Sequence, residues 1–227
     1  MSRHKRGYTI PGNESKNQIH NALDLSPSLG INRFFKRILD IIISSVAILT
    51  FFPILVLIFI LVKQDSEGPA LYIHTRVGRD GKEFNCFKFR TMKLNSDPNK
   101  LAESADDDRI TELGKALRKT SLDELPQIFN VFLGDMSIVG PRPALPVQVK
   151  NFSDTEILKI AVKPGITGWT QVNGRNSIPY EKRMELDVWY AENHNVFLDI
   201  SIIFRTFGVL LFPSRGIYDQ NSTSPTK

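Results

Sequence analysis

Cysteine is nearly absent from this chain: Cys86 stands alone among 227 residues, which excludes an intrachain disulfide and a thiolate-built zinc site and fits a reducing compartment. By itself Cys86 reads as a small buried hydrophobe. Long basic runs are also missing. Lysine and arginine are interleaved with acidic residues, so the net charge of +5 and the pI of about 9.3 point to anionic partners such as lipid headgroups or nucleotide phosphates, and away from nucleic acid. There is no Walker A loop, no Gly-x-Gly-x-x-Gly, no Gly-x-Ser-x-Gly and no His-Glu-x-x-His. His4, His20, His74 and His194 are scattered and read as ordinary surface or core residues.

What is present is a charge-free apolar run, Ile41 to Val62. As a helix it reaches about 33 Å, enough to cross a hydrocarbon core of about 30 Å. It starts too far along the chain, and lacks the small-residue cleavage site, for a secretory signal. Arg33, Lys36 and Arg37 precede it, whereas Lys63 on the far side is balanced by Asp65 and Glu67; the positive-inside rule therefore keeps its N-terminal end in the cytoplasm. A straight span, the simplest reading, would then export a following domain that has cytoplasmic character. Pro53 offers a second reading, because a mid-helix proline removes a backbone hydrogen bond and bends the helix, letting it leave by the face it entered.

The 227 residues leave room for that element and one compact domain of about 150 residues, too few for a multi-span transporter. Residues 1–30 are polar and tail-like, 31–64 hold the membrane helix, 65–212 form the domain, and 213–227 are again tail-like. Leu71–Thr75 and Phe84–Arg90 read as short strands paired around Asp80-Gly81. Asn95 to Asp108 reads as an acidic loop, and Ile110, Leu113 and Leu117 as one helical face. Leu122 to Leu133 reads as a helix ended by Gly134, and Pro179 to His194 as another. Val196–Phe212 is apolar but carries Asp199 and Arg205, which makes it a poor span and a reasonable interfacial or core helix. The glycines of Pro164-Gly165-Ile166-Thr167-Gly168-Trp169 read as turn-shaping.

The chemistry-bearing segment is Ser121-Leu122-Asp123-Glu124-Leu125-Pro126. Ser-x-x-Glu matches a capping box, with Ser121 as N-cap and Glu124 reaching back. Two features argue against so plain a role: Asp123 adds a second carboxylate, and Pro126 interferes with the helix that a cap would start. An ionised carboxylate is a nucleophile without a base, but a phosphate it attacks repels it, so Mg2+ or arginines must neutralise charge. Lys88, Arg90, Arg118, Arg142 and Arg175 could supply cations. Each also reads singly as a surface or ion-pair residue. Arg142 stands out because Pro141 and Pro143 stiffen the backbone around it, which suits bidentate phosphate contact.

The ordered motifs Lys36-Arg37-Ile38-Leu39-Asp40, Lys88-Phe89-Arg90-Thr91-Met92, Leu117-Arg118, Ser121 to Gln127, Gly134-Asp135-Met136-Ser137, Gly140-Pro141-Arg142-Pro143, Lys163 to Gly168 and Gln171-Val172-Asn173-Gly174-Arg175 carry a further inference. With the Pro53-broken helix, they resemble the bacterial sugar transferases, the monotopic polyprenyl-phosphate phosphoglycosyl transferases, over about Lys36 to Thr206. The resemblance implies an α-rich α+β domain, held on the cytoplasmic face of the bacterial inner membrane by one re-entrant helix and interfacial helices, with a small β-hairpin. It implies a Mg2+-dependent transfer of a sugar-1-phosphate from a nucleotide-diphosphate sugar, with UDP as the favoured carrier, to undecaprenyl phosphate. Asp123 would be the nucleophile and Glu124 its metal partner or base, with Arg118 and Arg142 recognising phosphate and Lys88, Arg90 and Arg175 as further candidates. The acceptor, the sugar nucleotide and membrane lipids are the implied partners, and a homodimer stays open. The rival reading is a single-span membrane protein whose basic domain binds acidic partners without catalysis.

Overall fold

A computed structural model of the chain describes residues 28–94, 107–174 and 177–211. Most of both expected tails and residues 95–106 of the acidic loop lie outside them. The apolar run forms α1, Ser28–Asp65, a continuous helix with Pro53 inside it. Asn32–Asp65 is long and apolar enough to cross a bilayer.

Both ends of α1 are held by one globular body. Near its start, Lys36 Nζ donates to Val139 O at 2.9 Å and pairs with Asp199, whose other oxygen accepts from Tyr190 OH at 2.5 Å. Arg37 donates to Val131 O and Phe132 O at 2.7 and 2.8 Å. These are carbonyls of the last helical turn at Leu133, where unsatisfied oxygens and the helix dipole favour a cation. Asp40 Oδ1 accepts from Ser137 Oγ and Ile138 N, each at 2.9 Å. Toward the other end, Leu55, Ile58 and Val62 share one helical face and pack with Ala70, Phe89 and Leu117. Between these two anchors Leu49, Phe51, Phe52 and Ile54 are exposed, Leu49 to 78%.

The expected hairpin is present as β1, Leu71–Val77, and β2, Glu83–Phe89, antiparallel with Tyr72 opposite Lys88 and His74 opposite Cys86. Asp80, at a φ of 58°, and Gly81 take the left-handed conformation in the connection, as an Asp-Gly pair readily does. Side chains alternate across a strand. The hairpin therefore presents Tyr72, His74, Arg76, Cys86 and Lys88 on one face, and Leu71, Phe87 and Phe89 on the other.

Of the expected helical face, Leu113 and Leu117 lie on α2, Glu112–Thr120, capped by Thr111, whose side chain accepts from Gly114 N at 2.9 Å, whereas Ile110 precedes the helix and forms a β-bridge with Met92. The helix expected over Leu122–Leu133 is split: Leu122–Glu124 is a 3-10 turn and only Gln127–Leu133, α3, is α-helical. Pro126 supplies no N–H and is the residue at which the α-helix begins. Gly134, at a φ of 95°, ends α3 in the left-handed region. Inside α3, fully buried Asn130 accepts from Phe87 N at 3.0 Å and donates to Asn85 O at 2.7 Å, joining β2 to the helix. Val131, Met136 and Cys86 are fully enclosed beside that joint, worth about 1.5–3 kcal/mol for each large apolar side chain.

One pairing departs from expectation. Gly165–Thr167 is a strand, β4, parallel to β3 at Ser137–Val139, and not a set of turns. A Cβ on Gly165 would lie 2.0 Å from Gly140 N, so glycine is needed here for close backbone approach. The short helices α4, Pro146–Val149, and α5, Trp169–Val172, lead to α6, Tyr180–Asn193, and α7, Val196–Leu211. The two charges of α7 have partners: Asp199 as above, and Arg205 over the Trp169 ring at 5.2 Å. Ile202 faces inward, while Phe197, Ile200, Phe204 and Phe207 form an exposed apolar stripe.

Candidate active site

Ser121 shows how the carboxylates come to be presented. It closes α2 in the left-handed region, at a φ of 59°, and makes no side-chain cap bond, so the capping-box reading fails. Such a conformation costs a non-glycine residue about 1 kcal/mol or more, and it turns the chain directly into the Leu122–Glu124 turn. Glu124 does not reach back to Ser121. Its Oε1 accepts from Lys88 Nζ at 2.6 Å and from Arg142 Nη2 at 2.8 Å. Burial alone would raise Glu124, but the charges and hydrogen bonds of Arg142 and Lys88 prevail and hold it well below the usual carboxylate range.

Asp123 behaves in the opposite way. Burial, followed by the neighbouring Glu124 charge, pushes it up to about 6, against the pull of Lys88, Arg118 and Arg142. Among the described residues no hydrogen-bond donor engages its carboxylate. Two adjacent carboxylates are thereby differentiated: Glu124 is locked in an ion-paired bracket, and Asp123 is an unengaged anion at neutral pH with cations around it.

Three expected cations converge on this pair from separate elements. Lys88 comes from β2, and Arg142 from the segment after β3. Arg118 comes from α2, its Nε donating to Thr91 Oγ1 at 2.8 Å. Arg142 remains 58% exposed, so donors not used on Glu124 face outward. Arg90 is used elsewhere: its guanidinium donates to Ser66 O at 2.7 Å, Val62 O at 3.3 Å and Glu67 O, tying β2 to the end of α1. Arg175 lies outside the described residues.

Arg76 was not singled out from the sequence. It shares the Lys88 face of the hairpin and donates to Pro143 O at 3.1 Å, bracing the proline that follows Arg142, and its buried Nε has no partner. Burial pulls Arg76 down, followed by Arg142 beside it, with Glu124 among the groups that oppose this. On the same face His74 is lowered to about 4 by burial and by Arg76 and Lys88, so it is neutral at pH 7. This is a preorganised electropositive surface around one unengaged carboxylate, suited to phosphate.

Among the described residues no three His, Cys, Asp or Glu side chains cluster to form a metal cage. Asp123 and the free oxygen of Glu124 are still an adequate donor set for Mg2+, which usually takes one or two carboxylates and completes its shell with water and substrate phosphate.

Comparison with known proteins bears on the same residues. The profile described as bacterial sugar transferase matches residues 31–213, which includes most of α1, the hairpin and the carboxylate turn. The chain is 43% identical over 196 residues to the undecaprenyl-phosphate galactose phosphotransferase of Salmonella typhimurium, covering 79% of this chain and 41% of that protein. It is 42% identical over 190 residues to the UDP-glucose:undecaprenyl-phosphate glucose-1-phosphate transferase of Escherichia coli, covering 80% and 41%. With the exopolysaccharide production protein ExoY of Rhizobium meliloti it shares 38% over 199 residues, covering 81% and 88%. The chain thus spans about two fifths of the first two relatives and most of the third. On the strength of that profile match and these identities, the chain belongs to the bacterial sugar transferase family.

Proposed function

We propose that this protein transfers a sugar-1-phosphate from a UDP-sugar to undecaprenyl phosphate, giving undecaprenyl-diphosphate-sugar and UMP, as the first step of exopolysaccharide or O-antigen assembly. The observation that carries the reading is the asymmetry of the carboxylates: Asp123 unengaged and raised to about 6, Glu124 clamped by Lys88 and Arg142. Two relatives whose names specify undecaprenyl-phosphate sugar transfer support the substrate class.

In the first step an Asp123 oxygen attacks the sugar-bearing phosphorus. The bond from that phosphorus to the bridging oxygen breaks, and UMP leaves with the electron pair. An acyl phosphate joins Asp123 to the sugar phosphate. In the second step an oxygen of undecaprenyl phosphate attacks the same phosphorus, and the Asp123 carboxylate departs unchanged. Lys88, Arg118 and Arg142 offset the repulsion between carboxylate and phosphate and stabilise charge on the equatorial oxygens. Mg2+ held by Asp123, Glu124 and the diphosphate would supply further neutralisation.

We place this site on the cytoplasmic face of the inner membrane, with α1 re-entrant. A straight helix puts Asp40 and Val62 about 33 Å apart, on opposite sides of a bilayer. Yet Asp40 is bonded to Ser137 and Ile138, and Val62 packs on Phe89 and Leu117, in one globular body. The exposed segment around Pro53 is the part that would dip into the lipid.

The test is UMP release by membrane-bound protein given Mg2+, undecaprenyl phosphate and a panel of UDP-sugars, with Asp123→Asn alongside. Lipid-dependent release with one sugar, lost in the variant, is the expected outcome. Release from no nucleotide sugar at all would favour the noncatalytic binding domain.

A further inference from the structure

We propose that Arg76 is a positioning residue that fixes the backbone of Arg142 from the hairpin side, so that the hairpin sets both cations bracketing Glu124; this deepens the transferase reading above and rests on it. One of those cations, Lys88, stands on β2 itself. The other comes from residues 140–143, which belong to no helix or strand and are held by their neighbours. Before Arg142 the tie is to β4: Gly140 N donates to Thr167 O and Gly165 N donates to Pro141 O, each at 2.9 Å. After Arg142 the tie is to β1. Val77 N donates to Ala144 O at 2.9 Å, an antiparallel bridge whose two side chains lie in one core cluster, and Arg76 Nη1 donates to Pro143 O at 3.1 Å. Of these four bonds, only the one from Arg76 comes from a side chain.

Stability alone does not account for an arginine at this position. Burial, and after it the charge of Arg142, disfavours the Arg76 cation, and its Nε is buried without a partner. A neutral side chain would avoid all three penalties. What the guanidinium adds is a donor long enough to reach Pro143 O, the carbonyl next in sequence to Arg142. Pro141 is fully buried on the other side, so Arg142 is the one exposed residue of a segment whose backbone is fastened at both ends. Its side chain meets Glu124 Oε1 and turns its remaining donors outward. A guanidinium already held in place binds a diphosphate without first losing conformational freedom, whereas a loose one loses it at binding. Because Arg76 and Lys88 share one face of the hairpin, a single rigid element thereby aligns two cations that come from positions far apart in the chain.

The experiment is a double-mutant cycle on the full chain in nanodiscs, read as the Kd of UDP in the presence of Mg2+. Arg76→Met should weaken UDP about tenfold, and Arg142→Met by about as much or more. Arg76→Lys, which keeps a donor for the one bond that Arg76 makes, should recover most of the affinity. In the Arg142→Met background, adding Arg76→Met should cost nothing further, because there is no guanidinium left to position. Arg76→Gln, too short to reach Pro143 O, is the second variant if Arg76→Met does not fold. A residue that touched the phosphate itself, or that only supported the fold, would weaken UDP by the same factor in either background, so equal factors overturn the proposal, as does full affinity in Arg76→Met. Hydrogen exchange reads the clamp without a ligand: the Val77 amide should exchange faster in Arg76→Met and at the wild-type rate in Arg76→Lys. Wild-type protein that neither binds UDP nor releases UMP, with a Val77 amide that still responds, removes the transferase reading and keeps the clamp. UMP release with an unresponsive amide or equal factors removes the positioning role alone.

Discussion

At Asp123 the structure sets reactivity against stability. Its folded-state pKa of about 6 lies above the unfolded value near 3.8, so the folded state holds its proton to higher pH. The resulting penalty is absent below about pH 3.8, grows between there and about 6, and is complete at neutral pH. Asp123→Asn removes it. With metal chelated, the variant should be more stable than the wild type by about 1–3 kcal/mol at pH 7 and by much less at pH 4, measured by thermal unfolding of detergent-solubilised protein. Adding Mg2+ should raise the wild-type midpoint more than the variant's. A variant less stable at pH 7 would refute the buried-charge account. The sequence made the two carboxylates and Pro126 visible, because they are neighbours. It did not make Arg76 visible, since a single arginine in a strand acquires meaning only from Pro143, 67 residues away.

Elements show a similar division between local and distant information. The end of α3 at Gly134 and the hairpin at Asp80-Gly81 were legible because each depends on backbone chemistry at one or two residues. The β3–β4 pair was not, because two three-residue strands carry no period, and their pairing rests on close approach between Gly140 and Gly165. Asn130 was equally silent in sequence, yet it joins α3 to β2 through Phe87 N and Asn85 O. Asn130→Ala strips Phe87 N and Asn85 O of this partner, and should cost about 1–3 kcal/mol and loosen Lys88 relative to Glu124, seen as faster hydrogen exchange in β2 before global unfolding. Exchange unchanged in β2 would remove Asn130 from that role. On α7, the exposed stripe of Phe197, Ile200, Phe204 and Phe207 suits an interfacial helix. Phe197→Ser with Phe204→Ser should reduce membrane retention after high-salt or mild-detergent extraction while leaving the fold intact, because neither ring is part of the core.

For the molecule as a whole, the topology follows from where α1 is anchored. Sequence supplied the apolar run, its flanking charges and Pro53. What it could not supply was that Lys36, Arg37 and Asp40 at one end, and Leu55, Ile58 and Val62 at the other, bind the same body. Single cysteines at Asn32 and Gln64, in a Cys86→Ser background, should both react with a membrane-impermeant thiol reagent from the cytoplasmic side. Reaction from opposite sides would establish a straight span and sink the re-entrant reading.

The pairing of Lys36 with Asp199 also joins positions 163 residues apart in the chain. At a synthesis rate of about 5–20 residues per second, roughly 8–30 s separate the two residues on the ribosome. For most of that interval α1 has been synthesised while the Asp199 partner of Lys36 has not. The apolar run therefore waits without this anchor, and the globular body closes onto the start of α1 only once α7, the last helix, has been made.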